Sequence, residues 1–333
     1  MTTADADADA TTVRVAFDDA DGVAVLEAAR RAADAASDPD GPPIETLAVG
    51  SPGTVHLPLA AVTRGGRTAV HRSVDPNEAA SLVSLLADGD LPVDGADSVV
   101  EHEPDPDDFP VDGGPLSAGT RRTLRGAGWT DPTDFASPPA MGERALETVS
   151  RLGLRGRGWG DARQDEPLAE GWREARDAEG DPVVVVNGLD ADPKADGDRL
   201  VLASLAGRVV AGAVVAASAV DAAEVVAVVP EDDPVVADRV SAVADRVADE
   251  TNLTVEVVGA EADYMTAEHT AVLESIEGND RIEARRRPPR RRRGGCSNGR
   301  RSCTRPERSR PSNAGSPTPT PSTLTPPTPG LGS

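Results

Sequence analysis

Three glycines in the stretch "LRGRGWG", residues 154–160, are spaced as in loops whose backbone approaches a phosphate. Gly156, Gly158 and Gly160 have no side chain to hold an anion away, which favours a nucleotide-binding loop. The residues that follow are rich in acids, which would repel a phosphate: Asp161, Asp165, Glu166 and Glu170. Three interpretations are therefore open: a cofactor site, the remains of one, or a glycine-rich surface turn.

Two later segments also concentrate polar side chains. The segment "NGLDADPKADGDRL", residues 187–200, supplies an amide, several carboxylates and an Asp-Arg pair directly after an apolar run. The segment "YMTAEHTAVLESIEG", residues 264–278, lies beyond the next-but-one predicted strand. Each could supply hydrogen-bonding groups to a ligand.

The elements that position these segments follow from apolar periodicity. Strands are predicted over 182–188, 223–230 and 252–258, and helices over 199–220 and 234–250. This alternation predicts a parallel sheet covered on both faces. Ligands of such sheets lie at the carboxyl ends of the strands. Here those ends are Asn187, Pro230 and Gly259.

The first hundred residues predict a separate small α/β domain. After a polar, disordered lead-in over 1–11, strands are predicted over 12–17, 45–49 and 66–74, with helices over 22–36 and 77–89. This gives a domain over 12–100, followed by a proline- and acid-rich linker over 101–115.

Taken together, the three motifs resemble the FMN-binding domain of the large flavoprotein subunit of NADH dehydrogenase, which also occurs in NAD-linked hydrogenases and formate dehydrogenases. The resemblance covers about residues 116–289. Its first signature, Leu-Arg-Gly-Arg-Gly-Gly-Ala-Gly-Phe-Pro-Thr-Gly-x-Lys-Trp, is matched by the start of "LRGRGWG" and by Trp172. Its second, Asn-Ala-Asp-Glu-Gly-Glu-Pro-Gly followed by Asp-Arg, is matched by Asn187, Pro193, Asp198 and Arg199.

The third signature has the same length here and many identical residues, among them Tyr264, Glu268, Thr270, Ala271 and Leu273. Upstream, "TRRTLRGAGWTDPTDF", residues 120–135, resembles the lead-in of the hydrogenase-type members. The resemblance implies an α/β, doubly wound FMN-binding domain over 116–284.

The resemblance also implies cofactors and roles. NADH would pass hydride to FMN, and electrons would leave through a 4Fe-4S cluster towards other subunits of an electron-transfer complex. Gly156, Arg157, Gly158 and Gly160 would line the phosphate end of the flavin. Asn187, Asp190 and Asp192 would lie along its ring or ribityl chain. Tyr264, Glu268 and Thr270 would close the nucleotide side, with Glu268 the candidate residue beside the nicotinamide; no residue is assigned a certain catalytic role.

Several positions depart from the family. The loop from Gly160 to Gly171 is four residues longer and acidic, and the flavin-binding lysine would fall at Gly171. Ala267 replaces a glycine, which would add a methyl where the backbone approaches the cofactor. His269 replaces a glutamate, and we interpret it as an incidental surface histidine. The motif thus descends from a flavin site, and these departures leave its affinity for FMN open.

The first domain resembles the C-terminal part of a thioredoxin-like 2Fe–2S module. Its loop "VGSPGT", residues 49–54, lies where that module carries a cysteine-containing loop. Ser51 and Thr54 cannot hold iron, so the cluster is lost here. No metal site is expected, and the two cysteines of the sequence, Cys296 and Cys303, cannot replace the four ligands of the family's cluster.

The charge is divided unevenly along the chain. The sequence has 57 acidic and 34 basic residues, but from Arg285 on there are 12 arginines and one acid. The first 284 residues therefore hold 56 acids and 22 bases, a net charge of −34. This balance excludes nucleic acid as a partner of the folded part and favours an extreme halophile over an ordinary acidic protein. No export signal or membrane span is predicted, so a cytoplasmic chain is expected.

The tail, residues 285–333, is basic and then rich in proline and threonine, which predicts disorder. The similarity is expected to stop at Pro288-Pro289 in mid-motif, and we interpret the tail as the product of a frameshift. The alternative is a genuine basic tail for nucleic acid or an acidic surface. By family the chain is a subunit that oxidises NADH through FMN; the alternative is a non-catalytic partner-binding scaffold that keeps the fold.

Overall fold

A computed structural model describes residues 11–37, 43–54, 56–103, 106–111, 113, 115–117, 121–155, 167–190, 196–262, 267 and 271–277, and the backbone of 301–302. Two β-sheets organise these residues. The first contains five strands and the second four.

The first sheet is a mixed sheet with strand order β2-β1-β3-β4-β5. Its strands and the two helices between them are β1 (Thr11–Ala16), α1 (Ala20–Ala36), β2 (Ile44–Val49), β3 (Leu59–Arg64), β4 (Arg67–Arg72), α2 (Pro76–Ala87) and β5 (Ser98–Glu101). β1 runs parallel to β2 and antiparallel to β3, and β4 is antiparallel to both β3 and β5. The predicted small α/β unit is confirmed in class, with two strands more than expected.

Two strands of this sheet, β3 and β5, were not predicted. β3 is joined to β4 by a two-residue turn. Gly65 and Gly66 have φ angles of 58° and 72°, the left-handed conformation that tight β-hairpins require at both central residues. The Gly-Gly pair was therefore the available signal for a hairpin. We assigned only its second arm because Pro58 and the small residues before Thr63 weaken the strand pattern of the first.

Each face of the first sheet is covered differently. Val13, Val15 and Phe17 pack towards α1 and α2. The opposite face is covered by Phe109 and Trp129, which come from coil segments on either side of a short 3-10 helix, Pro115–Ser117. The stretch that we predicted as a linker thus contributes a buried aromatic ring to the core.

The second sheet has the order β8-β7-β6-β9. Its elements, with two preceding helices, are α3 (Glu143–Arg151), α4 (Leu168–Arg176), β6 (Pro182–Asn187), α5 (Gly197–Ser204), α6 (Ala206–Val220), β7 (Glu224–Pro230), α7 (Pro234–Glu250), β8 (Thr254–Ala260), α8 (Ala271–Glu277) and β9 (Arg301–Ser302). β6, β7 and β8 are parallel, as predicted. The backbone of β9, inside the predicted disordered tail, pairs antiparallel with Pro182 and Val183; the rest of that tail lies outside the described residues.

Alternate residues of β7 face opposite sides of this sheet. Val225, Ala227 and Val229 pack towards the helices α6 and α7. Val226 and Val228 pack towards α8 on the other face. The helices that connect β6 to β7 and β7 to β8 lie on one face of the sheet, because the three strands follow one another in a single direction across it. Helix α8 lies on the other face, so helices cover both faces, as predicted. Four valines spaced along one face of α7 are fully buried: Val236, Val240, Val243 and Val247.

One predicted helix is broken in two. We expected a continuous helix over 199–220, but α5 and α6 meet at an angle of 97° around Leu205, whose φ of −145° is not helical. Gly207 explains the break, because its N–H donates to the Pro132 carbonyl at 2.8 Å and a Cβ there would overlap the carbonyl of Asp134. Tertiary packing thus overrides an apolar pattern that favours one helix.

In the described ranges no single helix is long and apolar enough to cross a bilayer, and α5 and α6 reach the threshold only as a bent pair.

Candidate functional site

The carboxyl end of β6 is joined to the residues after β8 by the side chain of Asn187. Its Nδ2 donates a hydrogen bond of 2.9 Å to the carbonyl oxygen of Ala267, and its Oδ1 accepts one of 3.1 Å from the N–H of Leu189. The structure therefore brings the described residues of the second and third motifs together at the edge where parallel sheets bind ligands. Both polar atoms of Asn187 have partners within the protein.

Ala267, which stands where the family has a glycine, is buried in the core. The residue is 9 % exposed and belongs to the core cluster that contains Leu189, Val272 and Leu273. Its methyl fills the apolar layer between the second sheet and α8.

Asp190 binds the start of helix α5. Its two carboxylate oxygens accept hydrogen bonds from the backbone N–H groups of Asp198 and Arg199, at 3.0 and 2.9 Å. These N–H groups have no partner within the helix, and a carboxylate stabilises this positive end of the helix dipole. Asp190 therefore fixes the helix that follows the second motif, a role that the resemblance did not indicate.

The middle of the second motif is apolar in this chain. Leu189 stands where the family signature has an aspartate, and it is only 2 % exposed. Gly188 beside it allows close packing, since a Cβ there would lie 2.5 Å from Leu202 Cδ2 and 2.8 Å from the Val228 carbonyl. The sequence analysis passed over this difference, although the aligned signature showed it. The result is that one carboxylate of the family pattern is replaced by a core side chain.

The glycine-rich loop begins and ends at neighbouring points of the backbone. Leu168 donates from its N–H to the Leu154 carbonyl at 2.8 Å, and Arg155 and Pro167 form an isolated antiparallel bridge. The intervening residues, 156–166, lie outside the described ranges. The extra residues of this loop are therefore accommodated between two backbone points that hydrogen bonds hold together.

The position of the expected flavin-binding lysine lies inside a helix. Gly171 and Trp172 belong to α4 and are both buried, and Trp172 packs with α3 and α6. We had assigned this stretch to the loop. The helix begins at Leu168, within the stretch that we predicted as loop, and Gly171 supplies no cation.

The remaining predicted site residues lie outside the described residues; they are Gly156, Arg157, Gly158, Gly160, Asp192, Tyr264, Glu268 and Thr270, together with His269. Their roles stay predictions. Two of the segments that carry them, 191–195 and 263–270, leave from the carboxyl ends of β6 and β8.

Arg199 connects the site to the first sheet. Its Nε donates to Asp233 Oδ2 at 2.5 Å, and its two terminal nitrogens donate to the carboxylate and the carbonyl of Asp18, at 3.4 and 2.9 Å. Burial alone would lower the pKa of Arg199, but the two carboxylates more than compensate and raise it above the ordinary value. The guanidinium thus stays charged and joins residues that follow β1 and β7.

A second arginine at this junction, Arg239, is almost completely enclosed. Only 6 % exposed, it donates to the carbonyl oxygens of Ala203 at 2.8 Å and of Phe17 and Val49 at 3.3 Å each. Its guanidinium also lies 4.7 Å from the centroid of the Phe17 ring. Burial lowers the pKa of Arg239 to about 10, opposed by the charge of Asp233. The arginine binds α5 to the ends of β1 and β2.

The loop 49–54, predicted to have lost a cluster, is part of this junction. The Ser51 hydroxyl accepts from the Gly53 N–H at 3.1 Å and donates to the Thr54 carbonyl at 3.3 Å, so it closes a turn. The Ser51 carbonyl accepts a bond of 3.1 Å from the Ser204 hydroxyl at the end of α5. The Ser51 side chain thus closes the turn, and the Ser51 carbonyl binds the turn to the end of α5.

The described residues form a framework that fits a cofactor site. The strand ends meet through Asn187, and the loops on either side start there, but the side chains that would touch a phosphate or a ring lie in the loops outside the described ranges. As far as the structure describes the chain, no group of three or more His, Cys, Asp or Glu side chains is arranged to hold a metal ion.

A fold with a parallel sheet and polar loops at its carboxyl edge defines an α/β protein of the ligand-binding kind. Residues 149–298 match the family model of the Nuo51 FMN-binding domain, which confirms the predicted resemblance. We expected the similarity to begin at about residue 116 and to stop at Pro288-Pro289. The match instead begins at residue 149 and ends at residue 298.

Two solved structures of an NAD+-reducing nickel–iron hydrogenase, one in the H2-reduced and one in the air-oxidised state, resemble the chain. Each is 20 % identical with a TM-score of 0.44, and each alignment covers 84 % of this chain. They cover 48 % and 47 % of the hydrogenase chain, so this chain spans about half the length of the structures it resembles. No curated protein is significantly similar in sequence.

Proposed function

We propose that this chain is the flavin-binding subunit of an NADH-oxidising electron-transfer assembly. The observation that carries the proposal is the family match over residues 149–298, which contains all three motifs. The hydrogen bond from Asn187 to Ala267 supports it, because it holds the second and third motifs at one strand edge. FMN, when bound, would accept a hydride from NADH and release the electrons singly.

The chain's own residues would supply binding and position. Gly156, Arg157, Gly158 and Gly160 would approach the phosphate, and Asn187, Asp190 and Asp192 would hold the second motif beside the flavin. Tyr264, Glu268 and Thr270 would close the side on which the dinucleotide binds. Of these, Asn187 and Asp190 act through the backbone they fix, since their described hydrogen bonds are all internal.

The electron acceptor would be a partner subunit. The assembly would work in a cytoplasm of high salt concentration, because 57 acidic residues against 34 basic ones repel one another until salt screens them.

A steady-state assay tests the activity. The full chain, loaded with FMN in concentrated potassium chloride, should oxidise NADH when an artificial one-electron acceptor is added. The same protein without FMN, and the same mixture without the acceptor, are the controls. Absence of turnover in a preparation that holds FMN would reject the enzymatic function.

A non-catalytic scaffold that binds a partner is the second candidate. It is favoured by the apolar replacement at Leu189 and by the buried Gly171 where the family has a lysine. Under this alternative the purified protein binds its partner subunit and takes up no flavin.

A further inference from the structure

Helix α5 begins within the second motif, and residues that follow strands of the first sheet contact it at both ends. At its carboxyl end the Ser204 hydroxyl bonds the Ser51 carbonyl, and Arg239 binds the Ala203 carbonyl. At its amino end the Arg199 side chain binds Asp18. The first sheet therefore determines where this helix lies.

The amino end of α5 also binds Asp190, an earlier residue of the second motif. The N–H groups of Asp198 and Arg199 are the donors that Asp190 accepts. Just before them, Asp196 has a φ of 41°, in the left-handed region that costs a non-glycine residue about 1 kcal/mol or more. Such a conformation persists only where surrounding contacts impose it, which places this turn under the control of its neighbours.

Arg199 is the residue at which these contacts converge. Its backbone N–H binds Asp190 at the end of β6, and its side chain binds Asp233 at the end of β7 and Asp18 at the end of β1. The side chain of Arg199 is 25 % exposed and that of Asp233 only 7 %, so water competes little with the Asp233 bond. The side chain and the backbone N–H of Arg199 thus connect the ends of three strands, which belong to two sheets.

We propose that Arg199 is a positioning residue through which the first sheet, at Asp18, holds the Asp190 turn (Asp190 together with the helix start at Asp198 and Arg199 that it binds) in the arrangement that the flavin site requires. The inference rests on the proposed function for the identity of the ligand. It assigns the first sheet a part in cofactor affinity, although this sheet holds none of the three motifs.

Asp18→Asn is the variant that tests the proposal, because it removes one charge and leaves the carbonyl acceptor of residue 18 in place. Asp21→Asn is the matched control, an exposed acid in the first turn of α1. Asp18→Glu keeps the carboxylate and should restore most of the wild-type behaviour. All variants are made in the full chain and measured in concentrated potassium chloride.

Hydrogen exchange without flavin is the first readout. The amides of Asp198 and Arg199 should exchange about tenfold faster in Asp18→Asn than in wild type, since the Asp190 turn opens more often. The amides of α7 should be unchanged, which separates local loosening from global destabilisation. Asp21→Asn should match wild type throughout.

Titration with FMN is the second readout, and the dissociation constant of Asp18→Asn should rise about five- to tenfold. Unchanged exchange at Asp198 and Arg199 overturns the proposal, and so does faster exchange with unchanged FMN affinity. If the wild type takes up no FMN, the proposed function fails, while the exchange result still decides whether Asp18 and Arg199 position the Asp190 turn.

Discussion

Asn187 and Ala267 are joined by a hydrogen bond of 2.9 Å although 80 residues separate them in the chain. The bond connects the end of β6 to the segment after β8, and Asn187 also accepts from the Leu189 N–H. The Ala267 carbonyl and the Leu189 N–H, both buried, thus depend on the side-chain amide of Asn187 for a hydrogen bond.

Replacing Asn187 with alanine should lower the free energy of unfolding by about 1–3 kcal/mol, because the Ala267 carbonyl and the Leu189 N–H lose their partner. Urea denaturation at high salt measures the change. Asn77→Ala, at an exposed position in the first turn of α2, is the control and should stay within about 0.5 kcal/mol. A loss equal to the control's would show that the bond to Ala267 contributes nothing to stability.

Arg239→Met should destabilise the protein by about 2–3 kcal/mol, since three carbonyls at the junction of the sheets lose a charged donor. Thermal or urea unfolding of Arg30→Met, an exposed arginine of α1, gives the reference. The pH dependence has a defined sign. Folding lowers the pKa of Arg239 from its ordinary value to about 10, so burial of its charge costs stability below pH 10 and this cost fades above it. A more stable Arg239→Met variant would contradict the bonding described for the junction.

Gly50→Ala should be among the most damaging small substitutions. A Cβ at Gly50 would overlap the backbone of Ser204, so the first sheet and α5 would have to move apart. A loss of about 2 kcal/mol or more in the free energy of unfolding is expected. Gly212→Ala is the matched control, because nothing lies within 4 Å of its Cβ and a helix gains about 0.5–1 kcal/mol from alanine. Equal effects of the two substitutions would refute the close approach at Gly50.

Asp97→Asn tests a surface ion pair by its pH dependence. A hydrogen bond of 2.6 Å from Arg72 lowers the pKa of Asp97 below 3.8, with burial acting against it. The pair therefore stabilises the folded state above about pH 4, and this contribution is lost as the pH falls through the folded-state pKa. Both side chains are partly exposed, so the variant should lose at most about 1 kcal/mol at pH 7. A stability difference that persists unchanged at pH 2 would rule out the ion pair as its cause.

The elements of the second sheet could be predicted because their apolar patterns are regular. The helix predicted over 234–250 begins and ends where α7 does, and its four valines are buried. The break at Leu205 could not be predicted, because it depends on the contact of Gly207 with residues more than 70 positions earlier. Local patterns report the period of an element and carry no information about a distant carbonyl that interrupts it.

The candidate site, like the fold, could be predicted only in part. The motifs indicated which loops meet, since parallel strands place their carboxyl ends together. They did not indicate that Asp190 binds the start of α5 or that the Ala267 methyl lies in the core, because both depend on where neighbouring elements pack. The burial of Arg239 could not be predicted. A charged residue on a helix is normally exposed to solvent, and Arg239 is enclosed only because the first sheet packs against it.

Equilibrium binding of FMN by the full wild-type chain tests the central claim most directly. The protein, purified in concentrated potassium chloride, is titrated while flavin fluorescence and visible absorbance are recorded. The account predicts saturable binding of one FMN per chain that quenches its fluorescence, and loss of the yellow colour when NADH is added without oxygen. A folded protein that stays colourless and leaves the fluorescence of FMN unchanged at every concentration would contradict it.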